Sequence, residues 1–258
     1  MDRLKYAVLG SGSKANAYIF EYGDFSFCID NGFSCREFLR RAELMSFDVS
    51  KMKLILLTHT HGDHIRGVGL LSKKLRCPVY KHHRLRPEKK IRDSFYKTEN
   101  LVPGKKTVLD AVQVIPFTTS HDAPFPLGYS FLVGGKIFTL ITDTGVLSEN
   151  MFTLARESDV VFLEANHSRE MLINGPYPEV LRRRILSERG HLSNDEAGCF
   201  VDRLIRNGGD KIGRIYFCHL SEVNNSPETA EAEITLRFDG SVPYRICKRN
   251  EMVEGIVP

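Results

Sequence analysis

Lys53-Leu54-Ile55-Leu56-Leu57-Thr58-His59-Thr60-His61-Gly62-Asp63-His64 is the stretch on which the fold turns. Its first five residues form an almost continuous apolar run, the pattern of a strand buried on both faces. Four ligand-type side chains then follow within six positions. Side chains at i and i+2 of an extended segment point to one side, so His59 and His61 face the same way. A turn at Gly62 lets Asp63 and His64 face a second ion beside the first. Imidazole and carboxylate donors suit zinc, manganese or iron without any sulfur ligand.

Outward from this stretch the chain alternates strands and helices. Upstream, Tyr6–Leu9, Ala17–Phe20 and Phe25–Asp30 read as short strands, and Cys35–Leu44 as a helix capped by Ser34. Downstream, an amphipathic helix is expected over Ile65–Leu75. Strands are expected over Val112–Phe117, Tyr129–Val133 and Lys136–Ile141, the last two joined by Gly134-Gly135 in a tight hairpin. Val160–Leu163 and Arg214–Cys218 complete the strands, with helices over Tyr177–Glu188, Asp195–Asn207 and Pro227–Phe238. No linker-like tract or internal repeat interrupts the pattern, which predicts one α/β domain over residues 1–258. Three more ligand-type residues each follow an expected strand: His121 in Thr118-Thr119-Ser120-His121-Asp122, Asp143 in Leu140-Ile141-Thr142-Asp143-Thr144-Gly145, and His219 in Phe217-Cys218-His219-Leu220-Ser221. Strand ends are where α/β proteins gather their chemistry, so all these residues can share one edge.

The HxHxDH spacing with these three later residues resembles the metallo-β-lactamase superfamily. That resemblance implies an αβ/βα sandwich, two mixed β-sheets packed face to face with helices on the outer faces. It implies that His59, His61 and His121 bind one ion, that Asp63, His64 and His219 bind another, and that Asp143 bridges them. Two such divalent ions would supply hydroxide at neutral pH, leaving no need for a serine or cysteine nucleophile.

The superfamily spans many substrates, so the fold alone selects none. Gly190-His191-Leu192-Ser193-Asn194-Asp195-Glu196-Ala197 is similar to an element of nucleases that process tRNA 3′ ends. There the histidine contacts the scissile phosphate or protonates the leaving oxygen; Ser193 or Asn194 serves equally as a helix cap. Phe162-Leu163-Glu164-Ala165-Asn166-His167 ends a strand in an acid, as in the same nucleases. Glu164 would orient His191 or a water, and His167 is either a phosphate contact or a packed surface histidine. Asp63, His191 and Glu164 are thus the catalytic candidates. The likeness narrows to the compact WalJ-type branch through Gly10-Ser11-Gly12-Ser13-Lys14, Glu164–His167, Arg182–Ser187, Gly190–Asn194 and Cys218–Ser221. That branch implies 5′–3′ exonuclease action on DNA with manganese or zinc; Ala15 departs from it where glycine is expected. The opening loop nearly matches a dinucleotide fingerprint, but a strand follows where that motif needs a helix. The loop either lines the site, with Ser13, Lys14 or Asn16 near a substrate phosphate, or is a plain hairpin turn.

Charge supports an anionic partner. From Lys73 to Lys106 twelve Lys/Arg face three acids, whereas the whole 258-residue chain carries only +4. A charged run is often just a solvated face, but Arg182-Arg183-Arg184 adds cations close to His191, and cations around a phosphodiester site provide non-specific nucleic-acid affinity. Arg184 and Ser193 join the substrate-binding candidates. No apolar run reaches the roughly 18 residues of a membrane span. The six dispersed cysteines read as reduced thiols, and the expected location is the cytoplasm. The favoured partner is DNA ahead of RNA. The competing functions are a small-molecule metallohydrolase (thioester, lactone or cyclic phosphodiester), an RNA-processing nuclease, and a binding protein that keeps its metals for structure.

Overall fold

The computed structural model describes residues 4–255 and Val257. Its strands are β1 (Leu4–Gly10), β2 (Ala17–Tyr22), β3 (Phe25–Ile29), β4 (Met52–Leu56), β5 (Val79–His82), β6 (Thr98–Leu101), β7 (Thr107–Leu109), β8 (Val112–Thr118), β9 (Leu127–Val133), β10 (Lys136–Ile141), β11 (Val160–Glu164), β12 (Arg214–Cys218), β13 (Tyr244–Ile246) and β14 (Val253–Glu254). The helices are α1 (Cys35–Leu44), α2 (Gly62–Ile65), α3 (Val68–Leu75), α4 (Lys89–Arg92), α5 (Glu149–Arg156), α6 (Arg169–Asn174), α7 (Glu179–Ile185), α8 (Asn194–Arg206) and α9 (Pro227–Thr235).

Two seven-stranded sheets form, in the orders β14-β1-β2-β3-β4-β5-β6 and β13-β12-β11-β10-β9-β8-β7. Each begins as an antiparallel meander and turns parallel, from β3 onward in the first sheet and from β10 onward in the second. This polarity sets the site. β1, β3, β4 and β5 run one way in the first sheet, and β8, β10, β11 and β12 run one way in the second, so each sheet collects its strand ends on one edge. The two edges meet there, where Leu127 donates its N–H to the carbonyl of Thr58 at 3.1 Å and the Tyr129 hydroxyl donates to the carbonyl of Leu57 at 2.6 Å.

An aromatic core fills the space between the sheets. Phe20 packs edge-on against Phe131 at 4.9 Å and Phe138 at 5.4 Å, and Tyr6 against Phe138 at 5.0 Å. These rings are essentially without solvent exposure, so truncating one such as Phe20 to alanine costs about 3–5 kcal/mol. Separate apolar clusters underlie the outer helices, one beneath α1 and α3, the other beneath α5, α8 and α9. The layers are therefore helix, sheet, sheet, helix, the sandwich the sequence implied.

Local differences have local causes. The helix expected over Ile65–Leu75 is broken into α2 and α3 at Gly67, where a Cβ would lie 2.0 Å from the carbonyl of Phe33. Gly67 instead donates its N–H to the carbonyl of Asn31 at 2.9 Å, which docks the candidate ligand segment on the loop after β3. The helix expected over Tyr177–Glu188 spans only Glu179–Ile185, because Pro178 occupies its N-cap. The Gly134-Gly135 hairpin is present, both residues having positive φ, 56° and 78°. Ser34 caps α1 by accepting from the N–H of Glu37 at 3.2 Å.

Candidate metal centre

The expected ligands follow strand ends at the shared edge, Asp63 and His64 on the short helix α2, and four of the five histidines there have one ring nitrogen committed to protein. Nδ1–H of His64 donates to Asp30 at 2.7 Å. Nδ1–H of His121 donates to the carbonyl of Gly190 at 3.1 Å, and that of His219 to Glu164 at 3.1 Å. The Thr58 hydroxyl donates to Asp30 at 2.6 Å, leaving its oxygen to accept from Nδ1–H of His59 at 2.9 Å. Each of these rings then presents the lone pair of Nε2 to the site, the tautomer a metal ligand needs. His61 is the exception, with Nδ1 turned inward, 3.3 Å from Nε2 of His121.

The inward atoms converge. Nε2 of His64 lies 3.3 Å from Asp143 and 3.5 Å from Asp63, and Nε2 of His219 lies 3.4 Å and 3.6 Å from the same two carboxylates. Nε2 of His121 lies 3.6 Å from Asp143, the carboxylate common to both groups. Donors on one tetrahedral ion with bonds of about 2.0–2.2 Å stand about 3.3–3.6 Å apart. Nε2 of His59, Nε2 of His219 and Oδ2 of Asp143 are buried with no hydrogen-bond partner, an arrangement that is costly unless a cation completes it. His59, His61 and His121 form one group that could hold an ion, and Asp63, His64 and His219 another. The residues fit a pair of metal ions.

The electrostatics agree. Burial opposes a charge on His64, but the carboxylates of Asp143 and Asp30 outweigh it and push its pKa up to about 10. Burial likewise opposes a charge on His219, and Asp143, Asp63 and Glu164 overturn it. A field that strong in favour of a proton also favours a divalent cation in its place. His59 has its pKa driven well down by burial and the neighbouring imidazoles, and His61 and His121 are lowered mainly by burial.

Three site residues carry positive φ despite having side chains: Asp30 (58°), Asp143 (56°) and His219 (62°). Each follows a strand directly or nearly so, and the left-handed turn swings its side chain across the sheet edge. Such strain is characteristic of functional positions. Asp30 is a site residue that the sequence reading missed; its only signal was an acid closing the apolar run Phe25–Ile29.

The remaining candidates divide. Ser13, Arg184 and His191 line a cleft of about 220 Å³ with His61, Asp63, His121, Asp143 and His219. The rings of His191 and His121 are 4.9 Å apart. Nδ1–H of His191 donates to Glu164 at 2.7 Å, and Glu164, fully buried, also accepts from the Thr144 N–H at 3.0 Å. Burial opposes the charge of Glu164, yet His191 and His219 hold its pKa below the usual carboxylate range. Arg184 is ion-paired with Asp122, whose pKa is lowered by Arg184 against the opposing effect of burial. Arg189, also missed, donates to the carbonyl of His121 at 3.3 Å.

Four expected substrate contacts are placed elsewhere. Asn16 is fully buried behind Asp63, its amide donating at 3.2 Å to that carboxylate and lying 3.0 Å from Nε2 of His64. Ser193 is fully buried as the N-cap of α8 in a capping box with Glu196, so the capping alternative prevails. His167 is buried with both ring nitrogens unpartnered, and burial drives its pKa down to about 4; it is packed, but inside rather than on the surface. Lys14 is exposed and turned to Glu222 at 2.7 Å, lining a neighbouring cleft with Lys248 and Arg249.

A family model described as a beta-lactamase superfamily domain matches residues 26–219. An exodeoxyribonuclease WalJ from Streptococcus pneumoniae serotype 2 is 33% identical over 231 residues, covering 88% of this chain and 85% of the relative. An exodeoxyribonuclease YycJ from Bacillus anthracis is 33% identical over 243 residues, covering 90% and 88%. Among solved structures, the metallo-β-lactamase fold protein YhfI of Bacillus subtilis superposes with a TM-score of 0.72 at 19% identity, covering 99% of this chain and all of the other, a likeness of fold.

Proposed function

This chain belongs to the metallo-β-lactamase superfamily, a family of hydrolases, and on that premise we propose that it is a two-metal phosphodiesterase that degrades DNA from an end, in the 5′ to 3′ direction. The observation that carries the reading is His191, held by buried Glu164 at 2.7 Å and stacked beside the ligand cluster. A hydrolase of neutral small molecules has no evident use for a second, rigidly aimed imidazole there. The names of the relatives, exodeoxyribonucleases over most of this chain's length, favour the same substrate.

His59, His61 and His121 would hold one ion, Asp63, His64 and His219 the other, with Asp143 shared. When bound, two divalent ions, manganese or zinc first and iron as the alternative, would supply hydroxide at neutral pH and offset the negative charge of the attacked phosphate. The protein supplies the rest. Nδ1 of His191 is committed to Glu164, so Nε2 is the nitrogen left to give a proton to the departing oxygen or to hold a phosphoryl oxygen. Arg184 would exchange Asp122 for a phosphate, a bidentate match for its guanidinium. The hydroxyl of Ser13, which also lines the cleft, would supply a second contact. We read residues 1–258 as one catalytic domain, since a single aromatic core joins its two sheets, and we place it in the cytoplasm. No described helix is long and apolar enough to cross a membrane.

The test is cleavage of 5′- and 3′-labelled double-stranded DNA and RNA with Mn²⁺, beside an Asp143→Ala control. Stepwise loss from the 5′ end of DNA, abolished in the control, is expected. Metal-loaded protein that cuts neither polymer overturns the proposal and favours a small-molecule substrate.

A further inference from the structure

Loop 119–126 joins β8 to β9 and is closed at its base by the Thr119 N–H donating to Pro126 at 3.3 Å. One limb carries His121 and Asp122. The other presents Phe125 between Pro124 and Pro126. Phe125 is 36% exposed and has a left-handed backbone, φ 50°, uncommon for so bulky a residue. The flanking prolines stiffen the chain here, so the ring is presented with little entropy left to lose.

The ring is built into a column. His82, at the end of β5, stacks on Phe125 at 5.0 Å with an 18° angle, and on His83 at 4.5 Å with 23°. His82 thus has both rings stacked against it, consistent with its 4% exposure. The guanidinium of Arg84 stands 4.7 Å over the Phe125 ring. The phenyl ring thus has His82 stacked against it and an exposed, flexible arginine over it. Arg84 belongs to the basic stretch Lys73–Lys106, and Arg86, Lys89 and Lys90 are also exposed near it in sequence. Not every cation of that stretch is free: Lys81 is buried, donating to Leu85 and Asn100 at 3.0 Å each.

A stacking surface beside cations is the chemistry that holds single-stranded nucleic acid, because every base has a π-face and every linkage a charge. We propose that Phe125, backed by His82 and gated by Arg84, is a base-stacking platform for a single-stranded DNA end entering the metal site. This rests on the nuclease reading above and extends it. An incoming base takes the phenyl face from Arg84, and the released guanidinium pairs with the adjoining phosphate. Three residues span at most about 11 Å, so the backbone of Phe125 lies within that distance of Asp122, which lines the cleft. The platform would hold the strand beside the cleft while the scissile linkage occupies it.

Binding of a fluorescent oligothymidylate with uncleavable phosphorothioate linkages to the Mn²⁺-loaded enzyme, read by anisotropy, tests this. Phe125→Ala is expected to weaken binding roughly 5- to 150-fold, the contribution of one stacked base, while Phe125→Trp restores it. Arg84→Ala is expected to weaken binding and to flatten its salt dependence. Thermal melting of each variant checks folding. Phe125→Ala binding like the parent, or Phe125→Trp failing to rescue, overturns the platform. Cleavage of end-labelled DNA by the parent, measured in parallel, separates that outcome from failure of the nuclease reading: a parent that cuts DNA while Phe125→Ala binds normally loses the platform alone, whereas a loaded parent that neither binds nor cuts loses both.

Discussion

Oε1 of Glu164 lies 2.7 Å from Nδ1 of His191 and 3.1 Å from Nδ1 of His219. One buried carboxylate thus fixes an imidazole lining the cleft and another among the candidate metal ligands. Glu164 itself does not line the cleft, so its influence passes through the two rings. Glu164→Gln keeps the shape but loses the charge that pairs with both N–H groups. Metal affinity and turnover are both expected to fall by about 10- to 100-fold, the usual loss when a ligand's hydrogen-bond partner is removed. Metal titration beside a kinetic assay checks it, and a loss confined to turnover would assign Glu164 to His191 alone.

His191→Ala makes the complementary cut. His191 shares a potential ligand group with Asp143, Glu164 and His219, but its Nδ1 is committed to Glu164. It also lies outside the group of His59, His61 and His121 and that of Asp63, His64 and His219, so metal content measured by mass spectrometry is expected to stay at the parent's level. DNA cleavage is expected to drop about 10²- to 10⁴-fold, the contribution of a positioned proton donor. Undiminished cleavage by this variant would sink the role given to His191.

The gathering of the candidate ligands was legible in the sequence because metal chemistry restricts residue type and the strand restricts spacing. Few alternatives explain four ligand-type side chains in six positions after a buried strand, and the three later residues each follow a strand of their own. Burial was what spacing could not reveal. Asn16, His167 and Ser193 carry the right functional groups but are fully or almost fully enclosed, and only tertiary packing decides that. The short strands Val79–His82 and Thr98–Leu101 escaped for another reason: their Tyr-Lys-His and Glu-Asn content gives no clean alternation. With them went the column that places His82 against Phe125, a contact between residues 43 positions apart.

Asp30 is the most consequential residue that the motif did not reveal. It accepts from the Thr58 N–H at 2.8 Å, from the Thr58 hydroxyl at 2.6 Å and from His64 at 2.7 Å. Asp30→Asn turns one of those acceptors into a donor facing donors, in a site with essentially no solvent. The expected outcome is metal affinity lower by about 10- to 100-fold, measured by competition with a chelating dye. Affinity equal to the parent's would remove Asp30 from the set that orients the ligands.

Metal should also stabilise the fold, because Nε2 of His59, Nε2 of His219 and Oδ2 of Asp143 are buried without a hydrogen-bond partner. Binding to the native state alone contributes about 2.7 kcal/mol at a hundredfold excess over Kd. For a chain of this length, that raises Tm by about 5–10 °C. Scanning calorimetry of chelated and reloaded protein reads the difference, and Asp143→Ala should abolish most of it. Equal Tm values with and without bound metal would contradict the assignment of those atoms.

Away from the metals, Glu37 offers a test by pH. It accepts from Arg40 at 2.7 and 2.8 Å and from Arg41 at 2.7 Å. Its carboxyl is drawn down to about 2 chiefly by Arg40, against the opposing effect of burial and with Arg41 assisting. Arg41 in turn donates to the carbonyl of Leu9 at 2.7 Å and stands 4.3 Å over the Phe33 ring, which fastens α1 to the end of β1 ahead of the loop bearing Ser13. In the unfolded chain the same carboxyl titrates near about 4.3. The folded state therefore binds this proton less readily, and the stabilisation is present above that value and fades as pH falls towards about 2. Glu37→Gln should lower Tm at neutral pH, and the gap from the parent should close as pH drops through that window. A gap that stays constant down to pH about 2 would show that shape rather than charge carries the contact.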